Sequence, residues 1–465
     1  MVNDKESGKT ILDEVNSFCS LKMTKNAGNI FLDIVAGNRK GTAKGIYSIC
    51  SAHREVLEAC FKQAKDDGSL ILIESTSNQV DQFGGYTGMK PMDFVGYVHS
   101  IAAQTGFPTE MILLGGDHLG PNAWQAFPAE EAMAHAAVLI EEYVKAGYRK
   151  IHLDTSMFCA DDKRDRSKTL ADEIVASRTL KLCQVAENTW KKYISPVPEL
   201  IYIIGTEVPV PGGAREKEET VYPTKAEDAA ATLAVSKKHF LDAGMFDAWD
   251  RVSGLVVQPG VEFGDDQVFN YRREKAKALS NKILEYKNLV YEAHSTDYQS
   301  ETGLKALVED HFSILKVGPW LTFAYREAIF ALEAMELEIL GKNHADLSKL
   351  GYTLERVMVK EPRYWKSYYH GDENEKFFKR KYSFSDRSRY YWPNQEIEDA
   401  KNRLCKNLTR NRIPLSVLSQ FMPIQFYQVC EGKIATHPKD LVHSHIRTVA
   451  GIYARACGLT RNINK

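Results

Sequence analysis

The sequence lacks the features that mark membrane-spanning and disulfide-stapled proteins. No apolar run approaches the roughly 20 residues of a spanning helix, and the first residues contain no apolar segment of the kind that a signal peptide carries. The eight cysteines form no CxxC pair and no compact framework, which favours reduced thiols over disulfides. We therefore expect a soluble, cytoplasmic protein that does not bind a membrane.

An excess of charge of one sign is also missing. Sixty basic residues stand against 61 acidic ones, for a net charge of −1, and this balance argues against a nucleic-acid partner. No GxGxxG follows a predicted strand, and neither GxxxxGKS nor GxxxxGKT occurs, so neither a dinucleotide fold nor a P-loop kinase is supported. We expect a small-molecule ligand or a protein partner.

What the sequence does contain is a regular alternation of buried strands and amphipathic helices. Eight strand candidates lie between Gly45 and Pro319, namely GIYSICS, LILIEST, ILLGGDH, RKIHLDTS, LIYIIGTEVP, VSGLVVQPG, NLVYEAHST and SILKVGP. Eight βα units in one series predict an α/β fold, the TIM (β/α)8 barrel, which needs about 250 residues. We predict a peripheral N-terminal extension over 1–44, the barrel over 45–340 and a C-terminal helical subdomain over 341–465.

Polar side chains stand at the ends of these strands with a regularity that capping does not explain. In a (β/α)8 barrel the carboxyl ends of all strands converge on one mouth, where the chemistry takes place. A single carboxylate at such a place could be a loop cap, but buried charges are costly without partners or a metal. Seven strand ends therefore predict a polar site, built from Ser51, Glu74, Asp117, His118, Asp154, Glu207, Gln258, His294 and Asp297.

Two histidines and one carboxylate of this set suit a divalent transition metal. We predict that His118, Glu207 and His294 bind Zn²⁺ or a similar ion, with the fourth position open for substrate. Asp117, Asp154 and Asp297 are then available as catalytic groups for proton transfer. Lys316 could form a Schiff base with a ketose carbonyl, although we favour a charge partner at the barrel rim.

Other stretches indicate the ligand. The polar, glycine-rich loop after the second strand is typical of polyol binding. We expect the substrate to contact Gln79 of this loop and four residues elsewhere, namely Ser51, Glu74, Asn122 and Gln258. Gly212 and Gly213, in PVPGGA, could cradle a phosphate through backbone N–H groups or could form only a rigid turn.

For the aromatic run RYYWP (389–393) we favour packing or an oligomer interface over a platform for bases. The glycines of ILLGGDH are expected to leave room for a ligand.

Long motifs then resemble a known family. GGDHLGPNAW, IHLDTSM, IGTEVPVPGG, VVQPGVEF, YEAHSTDYQ, LKVGPWLTFAYREAIFAL and YSFSDRSRYYWP, with SNQVDQFGGYTGM upstream, resemble the GatZ/KbaZ family. This family is the Z-type subunit of class II D-tagatose-1,6-bisphosphate aldolase, formerly labelled a tagatose-6-phosphate kinase. The resemblance covers about 46–455.

The resemblance implies a TIM barrel with added helices and two possible roles. In the first, the chain is an accessory partner, in a homo- or hetero-oligomer, of the Y-type subunit that carries the zinc-dependent chemistry. In the second, it is a stand-alone metal-dependent ketohexose 4-epimerase that interconverts fructose and tagatose by retro-aldol cleavage and re-addition. Asp117 and His118 resemble the Asp-His pair of class II aldolases, in which Asp moves the proton and His binds zinc. A purely structural helper is a third reading, and the complete set of acids and imidazoles favours an enzyme acting on a ketohexose or ketohexose phosphate.

Overall fold

Eight parallel strands close into a barrel in the computed structural model, which describes residues 26–162, 169–195, 199–205 and 220–460. Each strand pairs with its neighbour in sequence, and the last pairs with the first, with Ile46 opposite Ile314. The predicted TIM barrel is therefore confirmed. The strands are β1 Ile46–Ile49, β2 Ile71–Thr76, β3 Ile112–Leu119, β4 Lys150–Leu153, β5 Ile201–Ile204, β6 Val252–Val257, β7 Val290–Ala293 and β8 Phe312–Val317.

Helices alternate with the strands and cover the outside of the barrel, because their apolar faces pack on the outward side chains of the sheet. Those up to β8 are α1 Ala27–Arg39, α2 Arg54–Asp67, α3 Pro91–Thr105, α4 Ala129–Lys145, α5 Asp172–Tyr193, α6 Ala226–Asp242, α7 Phe246–Asp250, α8 Arg273–Ile283 and α9 Glu301–Glu309. A two-stranded hairpin, Glu262–Phe263 with Val268–Phe269, lies between β6 and α8. Among the described residues no helix is long and apolar enough to cross a bilayer.

The end of the barrel opposite the mouth is closed by α1. Its residues Phe31, Ile34 and Val35 are buried in one cluster with inward-facing strand residues such as Leu72 and Ile314. The start of the helix is fixed by Asn26, whose side chain accepts a hydrogen bond from the backbone N–H of Asn29. We expected this N-terminal segment to be peripheral, but its described part is packed against the barrel. The apolar side chains at this end of the barrel interior would otherwise be exposed to water.

The region after β8 is helical, as predicted. It consists of α10 Pro319–Leu340, α11 Leu350–Lys360, α12 Glu373–Tyr382, α13 Gln395–Arg410, α14 Leu415–Phe421, α15 Pro423–Cys430 and α16 Pro438–Ala456, with short 3₁₀ helices at Pro362–Tyr364 and Arg387–Tyr390. The last helix, α16, packs against α2 and α10. This region also reaches back to the mouth of the barrel through its two 3₁₀ segments.

Candidate active site

A cavity of about 540 Å³ opens at the carboxyl ends of the strands. One part of its wall comes from the strand ends and the loops after them, including Asp117, His118, His294 and Lys316. The other part comes from the C-terminal region, which contributes Tyr364, Tyr368, Arg387, Arg389 and Tyr390. The barrel mouth and the C-terminal helical region therefore build one site together.

The end of β3 is irregular, which lets two successive side chains reach this cavity. In a regular strand Asp117 and His118 would point to opposite faces. Here the register between β3 and β4 shifts between Gly116 and Leu119, and His118 has a left-handed backbone with φ of 51°. Histidine tolerates this conformation better than most residues. As a result both side chains line the cavity.

The sequence analysis expected the two glycines before Asp117 to leave room for a ligand, and this expectation is wrong. The space beside them is filled by other side chains of the protein. A Cβ atom at Gly115 would lie 2.7 Å from Cγ of Glu74, and one at Gly116 would lie 2.3 Å from Cδ1 of Leu119. Side chains cannot approach this closely. Gly115 thus allows Glu74 to lie against β3 inside the barrel, and Gly116 allows Leu119 to pack against the same strand.

Three histidine rings meet beneath the cavity. The ring centroids of His118 and His294 are 4.9 Å apart, those of His118 and His152 are 5.2 Å apart, and those of His152 and His294 are 5.5 Å apart. All three residues are buried. The structure thus brings together the two predicted metal-binding histidines and adds a third from β4.

Each ring is held by a carboxylate. Nδ1 of His118 lies 2.8 Å from Oδ2 of Asp154, Nδ1 of His152 lies 3.0 Å from Oδ1 of Asp117, and Nε2 of His294 lies 3.0 Å from Oε1 of Glu292. Such pairs fix the orientation of an imidazole and leave its other nitrogen for a ligand.

The same contacts, with burial, set the ionisation of these groups. Burial alone would lower the pKa of His118, but Asp117 and Asp154 outweigh it and raise that pKa. Burial lowers the pKa of His294 to about 4. Burial alone would raise the pKa of Asp117, but His118 and Lys316 hold it well below its ordinary value. Asp117 is therefore a carboxylate at neutral pH.

A buried charge cluster of Glu74, Asp117, Lys150, Glu292 and Lys316 lies inside the barrel. Nζ of Lys150 is 2.6 Å from Oε1 of Glu74 and 2.7 Å from Oε2 of Glu292. Nζ of Lys316 bonds Glu74 and lies 2.9 Å from Oδ1 of Asp117. Burial would lower the pKa of Lys316, but its acidic neighbours raise it well above the ordinary value. A protonated amine is not a nucleophile, so the charge-partner reading of Lys316 fits the geometry.

Asp297 lines the cavity but also caps a helix. Its Oδ1 accepts hydrogen bonds from the backbone N–H groups of Gly318, at 3.1 Å, and Trp320, at 2.8 Å, at the start of α10. Burial raises the pKa of Asp297 to about 6, against the opposing effect of these bonds. Asp154, by contrast, is fully buried behind His118.

The predicted substrate-binding residues are distributed unevenly. Gln79 and Asn122 line the cavity, whereas Glu74 belongs to the buried charge cluster. The side chain of Ser51 accepts from the backbone N–H of His53, and Gln258 accepts from those of Gly260 and Val261. Predictions that lie outside the described residues are those for Glu207, Gly212 and Gly213.

Several residues of the site were missed from the sequence. His152 and Glu292 each precede a predicted residue by two positions, so the period-two alternation of a strand would have placed them on the inward face with Asp154 and His294. In the run RYYWP, Tyr391 and Trp392 are buried as the packing hypothesis expected. Arg389 and Tyr390 instead line the cavity.

The residues present fit a divalent metal ion. Asp117, His152, Glu292 and His294 each offer a ligand atom, and these atoms all lie within 4.8 Å of one another. Nε2 of His152 is buried and has no hydrogen-bond partner among the described residues, which is costly unless a ligand takes it. Nitrogen and oxygen donors of this kind suit Zn²⁺ and similar ions.

Comparisons with known proteins agree with this architecture. The chain is similar to a probable tagatose 6 phosphate kinase from Sinorhizobium meliloti 1021, at 42% identity over 89% of this chain and 100% of that one, with a TM-score of 0.80. Weaker structural similarity extends to a fructose-bisphosphate aldolase from Campylobacter jejuni, at 13% identity over 82% of this chain and 90% of that one, with a TM-score of 0.43.

The family comparison covers most of the chain. The model of the D-tagatose-1,6-bisphosphate aldolase subunit GatZ/KbaZ-like family matches residues 31–458. That range includes every barrel strand, the three histidines and the C-terminal segments that line the cavity. The chain therefore belongs to the GatZ/KbaZ-like family of D-tagatose-1,6-bisphosphate aldolase subunits.

Proposed function

We propose that this chain is a subunit of a class II tagatose-1,6-bisphosphate aldolase whose own barrel mouth binds a ketohexose or ketohexose phosphate together with a divalent metal ion. The observation that carries the proposal is the group of three buried histidines, each held by a carboxylate, at the base of a cavity of about 540 Å³. A catalytically idle barrel has no need of three imidazoles that each keep one nitrogen for a ligand. A Y-type aldolase subunit is the proposed protein partner.

The metal ion would be held by His152 and His294, whose ligand atoms lie within 4.8 Å of each other, and His118, whose ring centroid is 4.9 Å from that of His294, would be a further ligand. Asp117 and Glu292 are less suited to this role, because Lys316 and Lys150 already pair with them. Glu207, which follows β5 in the sequence and lies outside the described residues, remains a proposed ligand. When bound, an ion such as Zn²⁺ supplies Lewis-acid polarisation of the ketose C2 carbonyl.

Asp117 is the proposed base. It lines the cavity, whereas Asp154 is enclosed by His118 and by Ser156, whose hydroxyl donates to its Oδ1 at 2.6 Å. Asp117 would take the proton of the C4 hydroxyl while the C3–C4 bond breaks, which gives an aldehyde and an enediolate. Asp154 would act as a positioning residue that keeps Nε2 of His118 turned to the ligand.

The alternative function is a stand-alone ketohexose 4-epimerase. It is favoured by one observation, namely that Asp117 and all three histidines come from this one chain. If the aldehyde fragment rotated in the cavity and presented its other face before the C3–C4 bond formed again, the configuration at C4 would be inverted. Both functions begin with cleavage of the C3–C4 bond. An aldolase releases the two fragments, whereas an epimerase joins them again.

The test is turnover by the full chain with and without metal. The purified chain, alone and with a Y-type subunit, is stripped with a chelator, reloaded with Zn²⁺ and assayed with D-tagatose-1,6-bisphosphate, D-tagatose and D-fructose. We expect metal-dependent turnover that is lost in His118→Ala and retained in His99→Ala, a control on the exposed face of α3. Interconversion of the free sugars by the chain alone would select the epimerase. The proposal fails if the chain retains no metal and neither turns over substrate nor raises the activity of a Y-type subunit.

A further inference from the structure

Two arginines from the C-terminal region line the cavity and form no ion pair with an acidic residue in the part of the chain that the structure describes. Arg387 and Arg389 lie on the 3₁₀ helix Arg387–Tyr390. The carboxylate nearest in sequence, Asp386, instead accepts from Thr322 at 2.5 Å and from Ser388 at 2.6 Å. Among the described residues neither arginine forms an ion pair, so two positive charges remain available to a ligand.

Arg387 is buried and incompletely bonded. Only 5% of the residue is exposed, and its guanidinium stacks on Tyr368, 3.3 Å from the ring centroid. Nε donates to the carbonyl of Tyr364, but Nη1 is buried with no hydrogen-bond partner in the described part of the chain. A buried N–H of a charged group is rarely left unpaired, which indicates that an anion binds here.

Arg389 is held in place beside it. Its Nη1 donates to the carbonyls of Ser385 and Asp386, and its Nη2 donates to the hydroxyl of Tyr390 at 2.9 Å. Burial would raise the pKa of Tyr390, but the two arginines outweigh burial and lower that pKa. The wall around them therefore has a positive potential.

The two ends of the cavity thus differ in chemistry. The strand ends present imidazoles and carboxylates, and the C-terminal wall presents guanidinium groups and tyrosines. We propose that Arg387 and Arg389 form an anion subsite that binds the phosphate ester of a ketose phosphate whose carbonyl end reaches the histidines. This inference rests on the proposed function and assigns its substrate class, because two guanidinium groups match the charge of a phosphate dianion.

The test measures binding and not turnover. The full chain is treated with a chelator and titrated in a calorimeter with inorganic phosphate, D-tagatose, D-tagatose 6-phosphate and a ketohexuronate. We expect D-tagatose 6-phosphate to bind more tightly than D-tagatose. Arg387→Gln and Arg389→Gln should each weaken the phosphorylated ligand about tenfold or more, as loss of a charge-assisted bond predicts, and leave D-tagatose within about twofold.

Two controls keep the outcome interpretable. Arg412→Gln removes an exposed arginine that does not line the cavity and should change neither affinity. Arg387→Lys keeps the charge but loses the planar stack on Tyr368, so it should fold and show an intermediate affinity. Equal affinity of the wild type for D-tagatose and D-tagatose 6-phosphate would overturn the inference, as would tighter binding of the ketohexuronate. Arginine-dependent phosphate binding without any turnover would sink the proposed function and keep the subsite.

Discussion

Asp154 shows how a residue can belong to a site without facing its ligand. One of its oxygens lies 2.8 Å from Nδ1 of His118, and the other accepts from the backbone N–H and the hydroxyl of Ser156. Its carboxylate is therefore fully committed to neighbours. Asp117, which comes from the preceding strand, lines the cavity. The two acids that the sequence could not separate thus have different surroundings.

Substitution should separate these two acids. Asp154→Asn removes the charge that orients His118, so we expect zinc affinity to fall by roughly 10- to 100-fold, the usual effect of losing such a partner. Asp117→Asn should abolish turnover with a smaller loss of zinc. Zinc affinity is measured by competition with a chromophoric chelator, with Asp247→Asn on the exposed surface as the matched control. Equal zinc loss in both site variants would contradict the division of roles.

Asp297 should leave a signature in the pH dependence of stability. Burial raises its pKa from 3.8 to about 6, so the folded state keeps a proton that the unfolded chain releases. Its contribution to the free energy of unfolding is then full below about pH 4 and declines as the pH rises to about 6. Asp297→Asn keeps an acceptor for Gly318 and Trp320 and removes this decline. Urea titrations of the wild type and of Asp297→Asn at pH 4, 5, 6 and 7 measure the free energy of unfolding. The same pH dependence in both proteins would refute this prediction.

At the scale of elements, the C-terminal helix α16 is tied to the barrel helix α2 by a half-buried ionic cluster. Nε2 of His443 lies 2.6 Å from Glu55, Nζ of Lys439 lies 2.7 Å from Glu58, and Nζ of Lys62 lies 2.9 Å from Nδ1 of His443. Apolar residues of α16 such as Leu441 and Ile446 are buried in the same interface. This contact holds the C-terminal region to the barrel.

Breaking this cluster should destabilise the docked helix. Burial would raise the pKa of Glu55, but the hydrogen bond and charge of His443 lower it to about 2. The stabilisation is therefore present above about pH 4.5 and is lost as the pH falls towards 2. We expect Glu55→Gln to lower the free energy of unfolding by about 1–2 kcal/mol at pH 7, since the pair is only partly buried. Chemical denaturation measures this, and Glu338→Gln on the exposed face of α10 should have no comparable effect.

For the whole molecule, metal binding should stabilise the barrel as a unit. The three histidines come from β3, β4 and the loop after β7, so one ion would join strands from different parts of the barrel. A ligand that binds only the folded state raises stability by about 2.7 kcal/mol at a hundredfold excess over its dissociation constant. We expect Zn²⁺ to raise the melting temperature of the chelator-treated wild type and of His99→Ala. A similar rise in a His118→Ala, His152→Ala double variant would place the ion elsewhere.

The sequence predicted the architecture better than the site. Strand ends such as Asp117 and His294 could be located because polar residues interrupt long apolar runs there. His152 and Glu292 were not predicted because only the last residues of each strand were taken as site residues. Both lie two positions earlier, on the same inward face of their strands. Arg387 and Arg389 carried no local signal, since the return of the C-terminal region to the mouth depends on the packing of distant helices. The bulge at His118 likewise follows from the fit of β3 against β4 and from no single residue.

The buried charge cluster gives the cavity an electrical direction. Three carboxylates, Glu74, Asp117 and Glu292, share two ammonium groups, Lys150 and Lys316, so the acidic groups of the cavity lie at its barrel end. The opposite wall carries the two guanidinium groups of Arg387 and Arg389. A molecule with one anionic end can then enter in a single favourable orientation, with its charged end held away from the strands. The polarity of the barrel interior would thereby decide which carbon atoms of a sugar meet the histidines.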